Sequence, residues 1–134
     1  MKRGKVLIVD DDEDIQEFLS TLLDIEGYNP LLAFNGNMGL DIALVEKPNL
    51  IILDVSLPGL NGFETCKRMR SHDILALVPI YILSANSDEK TRRLAFEAGA
   101  DRFIEKPFEN EDLLDMMAKD MKKKGNNSPP PGQG

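Results

Sequence analysis

The chain has 134 residues, of which 42% are hydrophobic, so it is long enough and apolar enough to form one globular domain with its own core. Its formal net charge of -7 argues against a nucleic-acid-binding surface, because binding to phosphate backbones requires a basic patch. The single cysteine, Cys66, excludes an intramolecular disulfide, and no apolar run is long enough for a signal peptide or a membrane span, so we expect a cytoplasmic protein without membrane contact.

The first half of the chain alternates strand-like and helical patterns. Residues 5–9, KVLIV, are apolar and β-branched and predict a buried strand. After three aspartates, helical spacing predicts an amphipathic helix that ends at Gly27, with apolar positions Ile15, Phe18, Leu19, Leu22 and Leu23. Residues 30–34, PLLAF, predict a second strand, and residues 35–46 predict a second helix.

The second half continues this alternation. Strands are predicted at residues 50–55 (LIILDV), 79–84 (PIYILS) and 102–106 (RFIEK). Helices are predicted around Phe63, Cys66, Lys67 and Arg70, and at residues 88–98 and 109–124. Five such strand–helix units predict an α/β fold with a parallel sheet and helices on both faces. Residues 125–134 are rich in Pro and Gly and lack core-forming side chains, so we expect a disordered tail or a linker there.

Polar residues end four of the five predicted strands. Asp10 and Asp11 follow the first strand, Asp54 lies in the third, Ser84 ends the fourth and Lys106 ends the fifth. Ligands of open parallel sheets bind at the carboxyl ends of the strands, so we expect these side chains to converge. Three neighbouring carboxylates repel one another unless a cation lies among them, and oxygen ligands without His or Cys favour Mg²⁺.

This set of residues has the chemistry of a phosphoryl-transfer site. Asp54 would act as the nucleophile that forms an acyl phosphate, while Lys106 and the metal neutralise phosphate oxygens and Ser84 donates a hydrogen bond. The plain alternative for the aspartates is a solvated turn with a helix cap, which is the role expected of Asp12. The predicted placement of Asp54 and Lys106 at the same edge favours the metal site.

Four stretches of the chain resemble, in their order and spacing, the receiver domain of bacterial two-component response regulators: VDD at 9–11, LDVSLPGLNG at 53–62, ILSA at 82–85 and EAGADRFIEKPF at 97–108. The resemblance implies a flavodoxin-like, doubly wound (βα)5 fold with strand order 2-1-3-4-5. The receiver domain would span residues 1–124 and be followed by the tail at 125–134. The chain would be a stand-alone receiver or the N-terminal receiver of a longer protein.

The resemblance also implies roles for the acidic residues and their neighbours. Asp54 would be the phosphate acceptor. Asp10 and Asp11 would bind Mg²⁺ together with Asp54 and the backbone carbonyl of Ser56. Ser56 and Asn86, at the variable positions that flank the site, would tune the lifetime of the phosphoryl group.

The remaining site residues would transmit the signal. Ser84 takes the family's Ser/Thr switch position and Lys106 the position of its lysine, and Lys106–Pro107 would be a cis peptide bond. Phe103 takes the aromatic switch position, where tyrosine is commoner, so a signalling hydroxyl would be absent. His72 lacks the context of a phosphohistidine and is interpreted as a solvated loop residue.

The function implied by the resemblance is signal transduction. A histidine kinase or histidine phosphotransfer protein would phosphorylate the receiver, which would catalyse the transfer onto itself. The face formed by the fourth helix, fifth strand and fifth helix would then bind a downstream target or a fused effector, or a second copy of the chain. A phosphatase of the haloacid dehalogenase type would need a second aspartate where Ser56 stands. A pseudo-receiver that never accepts phosphate is the alternative that stays open.

Overall fold

The computed structural model describes residues 3–125, and side chains within residues 3–121. In this part of the chain five strands alternate with five α-helices. The strands are β1 (Lys5–Val9), β2 (Asn29–Ala33), β3 (Leu50–Asp54), β4 (Ile80–Ser84) and β5 (Arg102–Glu105). The helices are α1 (Glu13–Ile25), α2 (Gly36–Glu46), α3 (Gly62–Arg70), α4 (Glu89–Glu97) and α5 (Asn110–Gly125), and a 3₁₀ turn at Asp73–Leu75 follows α3.

The elements lie within one or two residues of the segments that the sequence predicts. The 3₁₀ turn is an addition, and Gly125, predicted to begin the tail, is the last residue of α5. The rest of the predicted tail, residues 126–134, lies outside the described residues. Within residues 3–125, each helix is too short or too polar to cross a bilayer.

The five strands form one parallel sheet of order β2-β1-β3-β4-β5, which confirms the predicted doubly wound, flavodoxin-like topology. Val9 at the end of β1 pairs with Ala33 on one side and Leu53 on the other. The register continues across the sheet, where Asp54 pairs with Leu83 and Ser84 with Glu105. The carboxyl ends of all five strands therefore lie along one edge.

The first four helices each begin at an Asp or Asn side chain that accepts a backbone N–H of the first turn. These caps are Asp12, Asn35, Asn61 and Asp88. Such caps satisfy amides that have no partner inside the helix, and the carboxylates also suit the positive end of the helix dipole. The predicted cap role of Asp12 is confirmed, since its Oδ1 accepts the amide of Asp14 at 2.9 Å.

Both faces of the sheet are covered, as expected for a parallel sheet. Alternate strand residues enter two separate clusters because successive side chains point to opposite faces. On one face α1 and α5 contribute, among others, Leu19, Leu23, Leu113 and Met117. On the other face α2, α3 and α4 contribute Ala43, Cys66, Met69 and Ala95. Burial raises the pKa of the Cys66 thiol to about 11, so this cysteine is an inert packing residue.

Helix α1 buries only part of the face that its apolar residues predict. Its fully buried residues are Gln16, Leu19 and Leu23, which are three and four positions apart. Phe18, predicted to join the apolar face, is 47% exposed. That prediction is wrong because the buried stripe is narrower than the apolar one and includes a polar residue.

At the amino edge of the sheet, Arg70 joins three segments. Its guanidinium donates to the carbonyls of Gly99 and Leu75 at 2.8 and 2.9 Å, and to that of Val78 at 2.8 Å. It also pairs at 2.6 Å with Asp101, which accepts the amide at the start of β4. This half-buried group therefore fixes the amino ends of β4 and β5 to the end of α3.

A second network ties α5 to the sheet. Asp120 on α5 accepts two hydrogen bonds from Arg102 of β5, at 2.7 and 3.0 Å. The same carboxylate accepts the hydroxyl of Tyr81, a fully buried residue of β4, at 2.5 Å. The Arg102 guanidinium holds the pKa of Asp120 below its usual range. The last turns of α5 are therefore bound to both β4 and β5.

Candidate functional site

The three aspartates predicted to converge do lie together at the carboxyl edge. One carboxylate oxygen from each of Asp10, Asp11 and Asp54 lies within 4.8 Å of the other two. The parallel register of β1 and β3 explains this proximity, because Asp10 and Asp54 each follow a residue of the Val9–Leu53 pair. Asp10 and Asp54 are 2% and 6% exposed, whereas Asp11 is open to solvent.

Lys106 brings a positive charge to this cluster from the end of β5. Its Nζ lies 2.5 Å from Oδ1 of Asp54 and 3.9 Å from Oδ2 of Asp10. The backbone supports this placement, since the Lys106 amide donates to the carbonyl of Ser84 at 2.8 Å. The following Lys106–Pro107 peptide bond is cis. Among the described residues, one lysine therefore faces three carboxylates, which leaves the cluster with net negative charge.

Asp10 has one oxygen that is satisfied and one that is not. Its Oδ1 accepts the amide of Asp12 at 2.9 Å, whereas its buried Oδ2 has no hydrogen-bond partner among the described residues. Burial raises the pKa of Asp10 to about 6, with Asp54 and Asp11 adding to the rise and the Asp12 amide and Lys106 opposing it. An unpartnered carboxylate oxygen facing other carboxylates is the donor set that a hard divalent cation requires.

The loop after β3 is held close to Asp54. Oδ2 of Asp54 accepts the amide of Ser56 at 3.1 Å, and Gly62 donates its amide to Val55 at 3.0 Å. A Cβ at position 62 would lie 2.4 Å from the carbonyl oxygen of Asp54. Only glycine therefore allows the start of α3 to approach the end of β3 this closely.

Ser84 is bonded to the loop that follows it. Its hydroxyl donates to the carbonyl of Asn86 at 2.8 Å and accepts the Asn86 amide at 3.0 Å. The Asn86 side chain accepts the amide of Asp88, which in turn caps Thr91 in the first turn of α4. A chain of hydrogen bonds thus runs from the end of β4 to the start of α4.

Phe103 is half-buried on β5 and is covered by a residue of α4. The guanidinium carbon of Arg92 lies 4.9 Å from the centre of the Phe103 ring, and its Nε donates to the carbonyl of Ser87 at 3.3 Å. Arg92 therefore joins the β4–α4 loop to the aromatic ring. His72 lies before the 3₁₀ turn at the amino edge, away from these residues.

Sequence reasoning missed two residues that touch the site's supporting loops. Arg92 carries no sequence signal that separates it from other exposed arginines. Gln16 does carry one, because it shares helical spacing with Leu19 and Leu23 and is therefore a polar residue on the buried stripe of α1.

Comparison with known proteins agrees with this geometry. The family model described as the response regulator receiver domain matches residues 6–118. The alkaline phosphatase synthesis transcriptional regulatory protein PhoP of Bacillus subtilis is 42% identical over 104 residues, which are 78% of this chain and 42% of that protein. The chain spans about half the length of the curated relatives it matches.

Solved structures that share the fold include a chemotaxis protein and the receiver domain of a sensor histidine kinase. Chemotaxis protein CheY4 of Vibrio cholerae superimposes with a TM-score of 0.82 at 31% identity, covering 87% of this chain and 97% of its own. The receiver domain of a sensor histidine kinase from Pseudomonas aeruginosa superimposes with a TM-score of 0.83 at 25% identity, covering 89% and 98%. The latter structure has a magnesium ion coordinated in its active-site cleft.

Proposed function

The chain belongs to the response regulator receiver family, and from that premise we propose that it accepts a phosphoryl group on Asp54 in a Mg²⁺-dependent reaction. The observation that carries the proposal is the contact of Lys106 Nζ with Asp54 Oδ1 beside the unpartnered Oδ2 of Asp10. A nucleophilic carboxylate, a cation for the transferred oxygens and a carboxylate oxygen that can bind a metal are the parts that phosphoryl transfer to aspartate needs.

The acidic residues fit Mg²⁺. Asp10, Asp11 and Asp54 would hold the ion together with the backbone carbonyl of Ser56, and the Pseudomonas receiver domain supports this reading by analogy. When bound, the ion would neutralise charge on the oxygens of the phosphoryl group. Burial raises the pKa of Asp10, the carboxylates of Asp54 and Asp11 add to the rise, and a bound cation would oppose it.

The phosphoryl donor is a phosphohistidine of a histidine kinase or a histidine phosphotransfer protein. A carboxylate oxygen of Asp54 attacks the phosphorus, the P–O bond forms, and the imidazole leaves with the electron pair of the P–N bond. Lys106 stabilises the charge that accumulates on the phosphoryl oxygens. The open apolar cleft beside Lys106, lined by Ile15, Phe18 and Phe108 among others, is where we place the donor protein.

Phosphorylation would change the face formed by α4, β5 and α5. The added charge attracts the Ser84 hydroxyl, which must then leave its bonds to Asn86, and the hydrogen-bond chain carries this change to Asp88 at the start of α4. Phe103 and its Arg92 cover lie at the same junction. This face would bind a downstream partner, a fused effector or a second copy of the chain.

Three further expectations belong to this proposal. Ser56 and Asn86 are both exposed beside the acceptor, so their side chains would control the access of water and the lifetime of the phosphoryl group. The chain would act in the cytoplasm, where histidine kinases would meet it. Its own chemistry would be limited to accepting the phosphoryl group and losing it slowly.

The experiment that tests the proposal is intact-mass measurement after incubation with acetyl phosphate and Mg²⁺. We expect a single phosphoryl adduct that EDTA prevents, that Asp54→Asn lacks and that the exposed-site control Asp41→Asn retains. No adduct on the wild-type chain would favour the pseudo-receiver alternative. An adduct that survives Asp54→Asn would show that the acceptor is a different residue.

A further inference from the structure

Gln16 is a buried polar residue whose side chain binds the backbone near the start of the β1–α1 loop, which carries Asp10 and Asp11. Its side-chain amide Nε2 lies 2.6 Å from the carbonyl oxygen of Ala33, 2.9 Å from that of Asp10 and 3.2 Å from that of Ile8. The residue is 2% exposed, so water cannot replace these contacts. One amide group thus joins the end of β1, the end of β2 and the first residue of the β1–α1 loop.

These contacts complete the immobilisation of Asp10. The Asp10 amide donates to the carbonyl of Ala33 at 3.0 Å, and the Asp10 carbonyl accepts from Gln16. The side-chain Oδ1 accepts the Asp12 amide. With its backbone held on both sides and one carboxylate oxygen engaged, Asp10 has only Oδ2 left for a metal. The direction of that oxygen depends on the backbone that Gln16 holds.

Glutamine at this position leaves one buried polar atom without a partner among the described residues. Its Oε1 is buried and has no hydrogen-bond partner among the described residues. A buried acceptor without a partner is unfavourable, and the neighbouring buried positions of α1 are both leucine. The amide donor, and not the packing, is therefore the property that the site uses.

We propose that Gln16 is a positioning residue for Mg²⁺ binding, acting through the Asp10 backbone. The inference rests on the proposed function, because it assigns a role toward the ion that Asp10, Asp11 and Asp54 would hold. Groups that orient a metal ligand without touching the metal typically change affinity by 10–100-fold when removed. Gln16 acts through the main chain of one ligand, so we expect the lower end of that range.

The test is Mg²⁺ titration of the full chain by isothermal calorimetry. Gln16→Met keeps the side-chain length and removes the donor, and we expect its Kd for Mg²⁺ to rise about 10-fold. Hydrogen exchange of the Asp12 amide, which binds Asp10 Oδ1, should become faster in this variant. Leu23→Ala, on the same buried stripe, is the matched control, and it should lower stability while leaving the Kd unchanged.

The outcomes separate this inference from the proposed function. A wild-type affinity for Mg²⁺ in Gln16→Met would overturn this inference and leave the proposed function untouched. A wild-type chain that binds no Mg²⁺ would refute the proposed metal site, and the inference with it. If Gln16→Met does not fold, the Kd of Gln16→Asn for Mg²⁺ decides, since the shorter side chain withdraws the donor from Asp10. Mg²⁺ dependence of phosphorylation should follow the Kd, with the rate at saturating Mg²⁺ retained.

Discussion

The ammonium group of Lys106 lies 2.5 Å from Oδ1 of Asp54, although β4 separates the strands that carry the two residues. They are 52 positions apart in the chain. The contact therefore exists only when β3, β4 and β5 are paired in register. The candidate site is assembled along the sheet edge from residues at the carboxyl ends of β1, β3, β4 and β5.

Replacement of Lys106 should separate metal binding from phosphoryl transfer. In Lys106→Met we expect Mg²⁺ to bind more tightly, because a neighbouring positive charge is lost, while phosphorylation by acetyl phosphate slows by about 100-fold. Calorimetric titration and the initial rate of adduct formation measure the two effects. Lys67→Met, at an exposed position of α3, is the control. Weaker Mg²⁺ binding in Lys106→Met would contradict the electrostatic argument.

Removal of the Ser84 hydroxyl should uncouple phosphorylation from α4. Ser84→Ala keeps Asp54 and Lys106, so the adduct should still form. The amide chemical shifts of Asp88 and Thr91, at the end of the hydrogen-bond chain, should change less on phosphorylation than in the wild-type protein. Ser71→Ala serves as the control. Undiminished shifts in Ser84→Ala would mean that the signal takes another route.

Arg70 should matter for stability and not for phosphorylation. Arg70→Ala removes hydrogen bonds to partly buried carbonyls and the pair with Asp101, so we expect the free energy of unfolding to fall by about 2–4 kcal/mol. Urea denaturation measures this loss, and Arg68→Ala, exposed on the same helix, should stay near wild type. A slower phosphorylation rate in folded Arg70→Ala would show unexpected coupling between the two edges of the sheet.

The Asp120 network predicts a pH-dependent contribution to stability. Because the pKa of Asp120 is lower in the folded chain, its carboxylate stabilises the fold above the ordinary aspartate pKa of about 4. Asp120→Asn should therefore cost about 1–3 kcal/mol at pH 7. The difference from wild type should shrink as the pH falls below 4 through the folded pKa. Urea denaturation of both proteins from pH 7 to pH 3 measures it, with exposed Asp115→Asn as control. A constant difference would contradict the assignment.

Much of this architecture is predictable from the sequence because local signals and tertiary demands agree. The run LIILDV at 50–55 is apolar throughout, and β3 (Leu50–Asp54) is buried on both faces as such a run requires. The starts of the helices are equally predictable, since Asp12 and Asp88 are cap residues by type and by position. The edge at which polar residues meet follows from the parallel order alone.

What the sequence does not predict depends on side-chain geometry. Phe18 belongs to the apolar pattern of α1 but lies outside the buried stripe, since the angle at which a helix meets a sheet is not encoded in its periodicity. The bonding of Ser84 to Asn86 and the stacking of Arg92 on Phe103 are contacts between loops and helices that no local rule anticipates. The roles proposed for the site residues stay predictions.

The hydrogen bonds of Asp120 with Tyr81 and Arg102 have a consequence for how a partner would recognise the α4–β5–α5 face. Because α5 is hydrogen-bonded to β4 and β5, we expect it to keep its position on phosphorylation, whereas α4 is joined to the site through a loop. Any phosphorylation-dependent movement would therefore occur on one side of the face against a stationary other side. A binding partner could dock on α5 in both the phosphorylated and the unphosphorylated state. It would distinguish the two states by the position of α4, so phosphorylation would change how well the partner fits and not whether its docking surface is exposed.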